Sequence, residues 1–202
     1  GCGITHQVKT RPVEDQQRAG TCWGYATLSF LETEALRMGH GTLDLSEQYV
    51  VRYAYETKAS DYVRFHGKAN FSQGGQAHDV LNVIRTHGIV PEASYKGLEY
   101  GTNFHNHGEM AAVLQGMLDG VLKNANRKHT PAWRKAVSAV LDVYLGEVPE
   151  KIEYERKTYT PEAFATEVVQ LNPDDYVELT SFSHHPFYTA FDLEVPDNWS
   201  HD

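Results

Sequence analysis

The sequence has few cysteines, few basic residues and no long apolar run, and each shortage limits what the protein can be. Cys2 and Cys22 are its only cysteines in 202 residues, too few for a disulfide framework. No apolar stretch approaches the roughly 18 residues of a membrane span, and no signal peptide is visible, so we expect no membrane partner. Because phosphate binding needs a basic surface, the formal net charge of −9 argues against nucleic acid as a partner.

What remains is enough for a folded, mainly helical domain. A hydrophobic share of 41% and a charged share of 22% argue against disorder. Helical spacing of apolar residues predicts helices over 22–38, 109–123 and 131–145, the last with Thr130 as its cap, and further helices after Ser46 and after the glycine turn at 72–76. Alternation over 151–159 predicts a hairpin, Thr160-Pro161 opens a short helix, and 176–182 has the composition of a strand.

Cys22 stands beside Trp23 where a short turn, residues 18–21, leads into the first predicted helix. The first turn of a helix presents free N–H groups and a partial positive charge, which favour a thiolate and can receive an oxyanion. Gln16, six positions earlier, carries a side-chain amide that could serve as a second donor. Position alone leaves two interpretations open, a nucleophile for acyl transfer and a small buried hydrophobic residue.

Three segments, in this order, resemble the papain-like cysteine peptidases. PVEDQQRAGTCWGYATLSFLE resembles the active-site segment, in which a Gln, five residues and Cys-Trp open a helix, and LSEQYVV resembles the start of the next helix. GGQAHDVLNVIRTHGIVPEASYKG resembles the Gly-Gly substrate wall with its helix and the following turn. The resemblance implies that Cys22 is the nucleophile, that Gln16 is an oxyanion-hole donor, and that Trp23, Gly74 and Gly75 bind substrate.

The stretch from about Leu98 to Tyr176 is similar to an insertion in the bleomycin hydrolase and aminopeptidase C branch of that family. YLGEVPEKIEYERKTYTPEAFA and DDYVELTSFSHHPFY resemble its bacterial members. The resemblance implies an α+β papain-like fold, of which this chain is mainly the helical domain with a helical insertion, the β-rich domain being largely missing. The expected divisions are 1–97 for the nucleophile-bearing domain, 98–175 for the insertion, packed well away from Cys22, and 176–202 for a connection to the missing domain.

A catalytic thiolate needs a base, usually a histidine oriented by an Asn or Asp. His184 or His185 with Asn198 has roughly the order and spacing of such a set. In the resembled branch, however, this segment lies upstream of the catalytic histidine and of the Asn-Ser-Trp-Gly motif, both of which would follow residue 202. We therefore predict that no histidine of this chain is the base for Cys22 and that the chain lacks its catalytic His and Asn.

The remaining clusters of polar and aromatic residues carry weaker signals. His105 and His107 could ligate a metal, but no ligand set of the usual spacing accompanies them, so a solvated loop is the preferred interpretation and no metal or other cofactor is expected. Glu32 and Glu34 are expected on a solvated helix face. The tyrosines of the second helix, Tyr49, Tyr53 and Tyr55, are expected to pack in the core and groove.

The function that the resemblance implies is that of an aminopeptidase-type cysteine peptidase, which hydrolyses peptides through a thioester acyl-enzyme on Cys22. The expected partners are a peptide substrate and the missing β-rich half, with a homo-oligomer left open. The alternative is a non-catalytic module that keeps a peptide-binding groove. An acyl-transfer enzyme of another cysteine family would be favoured only if His185 contacted Cys22. The compartment, whether the bacterial cytoplasm or outside it, is not decided by the sequence.

Overall fold

Three helices form the centre of the molecule in the structure, a computed structural model that describes residues 3–124, 128–179 and 185–191. They are α1 (Cys22–Arg37), α2 (Glu47–Arg64) and α3 (Ala77–His87), and each packs against the other two. Leu28, Leu31, Tyr49 and Tyr55 are among the largest fully buried side chains of this core. The predicted helical architecture and the core positions of Tyr49 and Tyr55 are confirmed.

The ends of α2 and α3 follow from local capping chemistry. Ser46 Oγ accepts a hydrogen bond from Tyr49 N at 3.1 Å, as the sequence predicted for an N-cap. At the start of α3, Gln76 and Asp79 form a reciprocal capping box. Gly88 is the C-cap that follows the last residue of α3, and its φ of +72° is a conformation that glycine adopts without strain.

Two further helices of the 98–175 segment lie against α2. They are α4 (Gly108–Leu122) and α5 (Ala132–Leu145), which pack on each other and on α2. Their predicted positions are confirmed to within a residue, except that Pro131 rather than Thr130 is the N-cap of α5. On each helix the buried residues are spaced by four: Met110, Leu114 and Leu118 on α4, and Val137, Leu141 and Leu145 on α5.

The predicted hairpin consists of β1 (Ile152–Tyr154) and β2 (Lys157–Tyr159), which pair antiparallel with Ile152 opposite Tyr159. The short helix α6 (Pro161–Phe164) follows, and Thr160 Oγ1 caps it by accepting from Ala163 N at 3.2 Å. A π-helical turn continues it over Ala165–Val169. α6 packs against α3. This part of the chain therefore returns to the central helices.

The strand predicted over 176–182 is wrong for its described part. Residues 176–179 have no regular structure, and 180–182 lie outside the described residues. Val177 and Leu179 are 81% and 93% exposed, and these strand-forming residues have no neighbouring strand among the described residues to pair with. Within the described residues the hairpin is the only β-sheet. None of the helices there is long and apolar enough to cross a membrane.

Candidate active site

Cys22 is the first residue of α1, as the sequence predicted, and its thiol is free and exposed. The N–H groups of Gly24 and Tyr25 both donate to the Thr21 carbonyl, at 2.9 and 3.3 Å. The N–H groups of Cys22 and Trp23 therefore come before the first hydrogen bonds of the helix, at the positive end of its dipole. This geometry favours negative charge on an oxygen bound beside the Cys22 sulfur.

Gln16 is half-buried in the turn that leads to Cys22. Its Nε2 donates to the Ala19 carbonyl at 2.8 Å, and Ala19 N donates back to the Gln16 carbonyl at 3.3 Å. The amide is thus held against the turn by one of its two N–H groups. The other N–H group is the one that would reach an oxyanion, and this role of Gln16 stays a prediction.

The glycine loop, residues 72–76, lies against the start of α1 although some 50 residues separate the two in sequence. Trp23 Nε1 donates to the Gln73 carbonyl at 3.0 Å, and Gly20 N donates to Gln73 Oε1 at 2.7 Å. A Cβ on Gly75 would lie 2.5 Å from Trp23 Cε2, so the glycine backbone lies directly on the indole ring. The structure thereby brings the predicted substrate-binding residues Trp23, Gly74 and Gly75 to the helix start that carries Cys22.

Lys58, on α2, supports the same loop from inside the molecule. Its side chain is fully buried, with the residue 1% exposed, and Nζ donates to the Ser72 carbonyl at 3.1 Å and to the Gly74 carbonyl. Nζ also lies 5.3 Å from the ring centre of Trp23 and 5.4 Å from that of Tyr55. Burial lowers the pKa of Lys58 to about 8, with Asp79 acting in the opposite direction.

The start of the 98–175 segment contacts the turn before Cys22, which corrects the prediction that the segment lies well away from it. Arg18 N donates to the His105 carbonyl at 3.0 Å, and Arg18 forms an isolated parallel bridge with Asn106. His105 N donates to Gln17 Oε1. The contacts of Arg18 are backbone pairings between loops, and that of Gln17 joins its side chain to a main-chain N–H; the periodicity of apolar side chains reveals neither.

The structure shows no base in contact with the Cys22 thiol among the residues that it describes. Within them the Cys22 sulfur has no hydrogen bond to an imidazole or to any other group. His185 stacks instead on Phe191, with ring centres 3.9 Å apart. His184 and Asn198 lie outside the described residues, and the statement that the chain lacks its catalytic base stays a prediction.

Two predictions of solvated side chains are wrong. His107 is fully buried at the N-cap of α4, and neither ring nitrogen has a partner among the described residues, so burial and nearby His105 lower its pKa to about 4. Glu32 is 4% exposed because it accepts from Leu45 N at 2.8 Å and from Arg11 Nη1 at 2.7 Å. Loop residues therefore cover Glu32, whereas the ring centre of His107 lies 6.2 Å from that of Tyr55 on α2 and 6.3 Å from that of His105. No group of three or more metal-ligating side chains occurs in the described part of the chain.

Comparison with known proteins agrees with the predicted family. The model of the papain family cysteine proteases matches residues 4–171. Aminopeptidase G of Lactobacillus delbrueckii subsp. lactis is 21% identical over an alignment of 229 positions, gaps included, which covers 95% of this chain and 52% of that protein. The mitochondrial cysteine proteinase 1 of Saccharomyces cerevisiae is 22% identical, over 87% of this chain and 45% of its own length.

A solved structure gives the same fold. The crystal structure of PepW from Lactobacillus rhamnosis superimposes with a TM-score of 0.64 at 20% identity, over 86% of this chain and 47% of that one. The chain thus spans about half the length of the relatives it matches. The helices α1 to α3, with Cys22 at the start of α1, are the mainly helical part of a papain-like fold. The chain belongs to the papain family of cysteine proteases.

Proposed function

We propose that this chain is the nucleophile-bearing part of an aminopeptidase-type cysteine peptidase, with Cys22 as the nucleophile. The observation that carries the proposal is the exposed Cys22 thiol at the first residue of α1, beside the glycine loop. The preference for peptides with a free N-terminus is supported by the name of aminopeptidase G, one of the relatives. The proposed divisions remain 1–97, 98–175 and 176–202.

The chemistry follows from what this site offers. The Cys22 thiolate attacks the carbonyl carbon of the scissile peptide bond, and the resulting oxyanion lies near the Cys22 N–H and the free N–H of the Gln16 amide. The C–N bond then breaks, the leaving amine takes a proton from the base, and a thioester remains on Cys22. Water hydrolyses the thioester, which releases the acid and regenerates the thiol.

We propose that the base comes from a part of the protein other than the described residues. Two observations support this. The Cys22 sulfur has no hydrogen-bond partner among those residues, and the relatives are about twice as long as the chain's match to them. The bound peptide would lie along the glycine loop, where Gly74 and Gly75 allow its backbone to approach closely.

The test is site-resolved alkylation of the full-length protein by iodoacetamide at pH 6. Cys2 and Cys22 fall in separate tryptic peptides, so Cys2 serves as an internal control within one sample. An ordinary thiol is under about 1% thiolate at pH 6, so we expect Cys22 to react at least about tenfold faster than Cys2. We also expect Cys22→Ala to lose peptide hydrolysis by several orders of magnitude.

Equal alkylation rates at Cys2 and Cys22, together with unchanged hydrolysis in Cys22→Ala, would contradict the assignment of the nucleophile. Slow alkylation in a protein that binds peptides without cleaving them would instead indicate a non-catalytic peptide-binding module.

A further inference from the structure

Three successive carbonyl groups of the glycine loop are bound by side chains of the central helices. The carbonyls of Ser72 and Gly74 accept from Lys58 Nζ, and the Gln73 carbonyl between them accepts from Trp23 Nε1 at 3.0 Å. Lys58 and Trp23 are both buried, and the lysine amine lies 5.3 Å from the indole ring centre. The side chains of Lys58 and Trp23 therefore fix the orientation of this stretch of backbone from its buried side.

The binding of the Gly74 carbonyl determines where the next N–H group points. In a planar trans peptide unit the C=O of one residue and the N–H of the next point in opposite directions. Because the Gly74 carbonyl points to the buried Lys58 amine, the Gly75 N–H points away from it. A backbone N–H with this orientation is a donor for the carbonyl of an extended peptide laid along the loop.

We propose that Lys58 is a positioning residue that fixes the Gly75 N–H as a hydrogen-bond donor for the bound peptide. This inference rests on the proposed function, in which the glycine loop binds substrate. Lys58 itself does not touch the peptide, because it is buried beneath the loop. Its contribution is to hold the Gly74 carbonyl so that the loop pays no cost of reorientation when a peptide binds.

A lysine suits this position better than an apolar side chain of the same length. The ammonium carries three donors, and two of them bind carbonyls of the half-buried loop residues Ser72 and Gly74. The faces of Trp23 and Tyr55 compensate part of the cost of burying the charge. Methionine in its place would leave both carbonyls free to turn, and the peptide plane between Gly74 and Gly75 would lose its fixed orientation.

The test uses full-length protein with Cys22→Ala, labelled with ¹⁵N and titrated with a Leu-Gly-Gly tripeptide. The shift of the Gly75 amide reports binding, and Lys58→Met is compared with Lys68→Met, an exposed lysine outside the loop. We expect Lys58→Met to raise Kd about tenfold and to abolish the Gly75 shift, since one aligned hydrogen bond is lost, while Lys68→Met changes neither. In the enzyme with Cys22 intact, KM should rise about tenfold while kcat changes less than about twofold.

Each result bears on Lys58 separately from the proposed function. The same Kd and the same Gly75 shift in Lys58→Met would overturn the inference, even if the melting temperature fell, because a purely structural role predicts that pattern. A parent protein whose Gly75 amide does not respond to the tripeptide would overturn it as well. A third result is that the protein binds the tripeptide, loses affinity and the Gly75 shift in Lys58→Met as expected, and yet hydrolyses no peptide. That result would contradict the proposed function but would support the role of Lys58.

A second variant covers the case in which Lys58→Met does not fold. Lys58→Gln keeps a donor on a shorter stem, which cannot span both the Ser72 and Gly74 carbonyls. We expect it to fold and to raise Kd in the same direction by about threefold. An unchanged Kd in Lys58→Gln would overturn the inference.

Discussion

At Gly75 the missing side chain is what allows the glycine loop to lie on Trp23. A Cβ there would be 2.5 to 2.6 Å from two ring atoms of the indole and 3.0 Å from Asp79 Oδ2. We expect Gly75→Ala to destabilise the protein by about 1–3 kcal/mol, since the ring or the loop must move. We also expect it to raise KM, because the loop would no longer lie on the start of α1. Urea unfolding and peptide kinetics measure the two effects.

Gly116, inside α4, is the matched control. A Cβ at Gly116 would meet nothing within 4 Å, so Gly116→Ala should stabilise the protein by about 0.5–1 kcal/mol through helix propensity alone. If Gly75→Ala is as stable and as active as Gly116→Ala, the Gly75 backbone does not lie in close contact with Trp23.

Single residues were predictable from the sequence where local chemistry determines their place. Cys22 and Ser46 lie at the starts of α1 and α2 as predicted, because the position of a cap or of a first-turn residue depends on its immediate neighbours in the sequence. Glu32 and Lys58 were not predictable, since a charged residue on a helix normally faces water. What buries them is a loop distant in sequence, and their partners are mostly main-chain groups, which carry no sequence signal.

At the scale of elements, one arginine joins α5 to α2. Arg52, 5% exposed, donates from Nη2 to Asp142 Oδ1 at 2.5 Å and from Nη1 to Glu56 Oε1 at 2.7 Å. Ser138 Oγ also donates to Glu56 Oε1, at 2.7 Å. We expect Asp142→Ala to destabilise the protein by about 2–4 kcal/mol, because it leaves a buried guanidinium without one of its two carboxylates.

Glu34→Ala is the control for this pair. The Glu34–Arg37 ion pair on α1 is solvent-exposed at the arginine, so its loss should hardly change the free energy of unfolding measured in urea. Equal effects of Asp142→Ala and Glu34→Ala would contradict a role for Arg52 in holding α5 on α2.

Helices and the hairpin were predictable as elements because their periods are local, but their neighbours were not. The spacing of apolar residues gave α4 and α5 almost to the residue. It could not show that the loop before α4 would pair with Arg18, beside the turn that carries Gln16. The strand expected at 176–182 failed for the related reason that a strand is stable only beside a partner, and strand-forming composition does not show whether one is present.

At the scale of the whole molecule, the formal net charge of −9 overstates the charge of the folded protein. Burial raises the pKa of Glu47 to about 9 and that of Glu92 to about 8, and the acidic neighbour Glu14 acts in the same direction on both. Two carboxyl groups therefore hold their protons at pH 7, and the folded protein is about two charges less negative than its composition suggests. Unfolding exposes both groups and releases those protons.

This proton release fixes the sign of the pH dependence. Both pKa values are higher in the folded state than the usual 4.5, so the stabilisation is complete below that pH and is lost as the pH rises through 8 to 9. His107, whose pKa is lowered to about 4, acts in the opposite direction only below about pH 6.5, and Lys58, whose pKa is lowered to about 8, does so only as the pH nears 8 and above. Between pH 6.5 and 8 we therefore expect the free energy of unfolding to fall by about 1–3 kcal/mol per pH unit.

Glu92→Gln tests this dependence, because glutamine reproduces the size of the protonated acid and cannot ionise. Urea unfolding at pH 6.5, 7.25 and 8 should give about half the wild-type slope in Glu92→Gln, with the greatest gain in stability over wild type at pH 8. Glu178→Gln, at an exposed carboxylate far along the chain, should keep the wild-type slope. If stability stays flat or rises across this range in the wild-type protein, Glu47 and Glu92 are ionised in the fold, and the acidic neighbours around them must be paired with cations more closely than the structure shows.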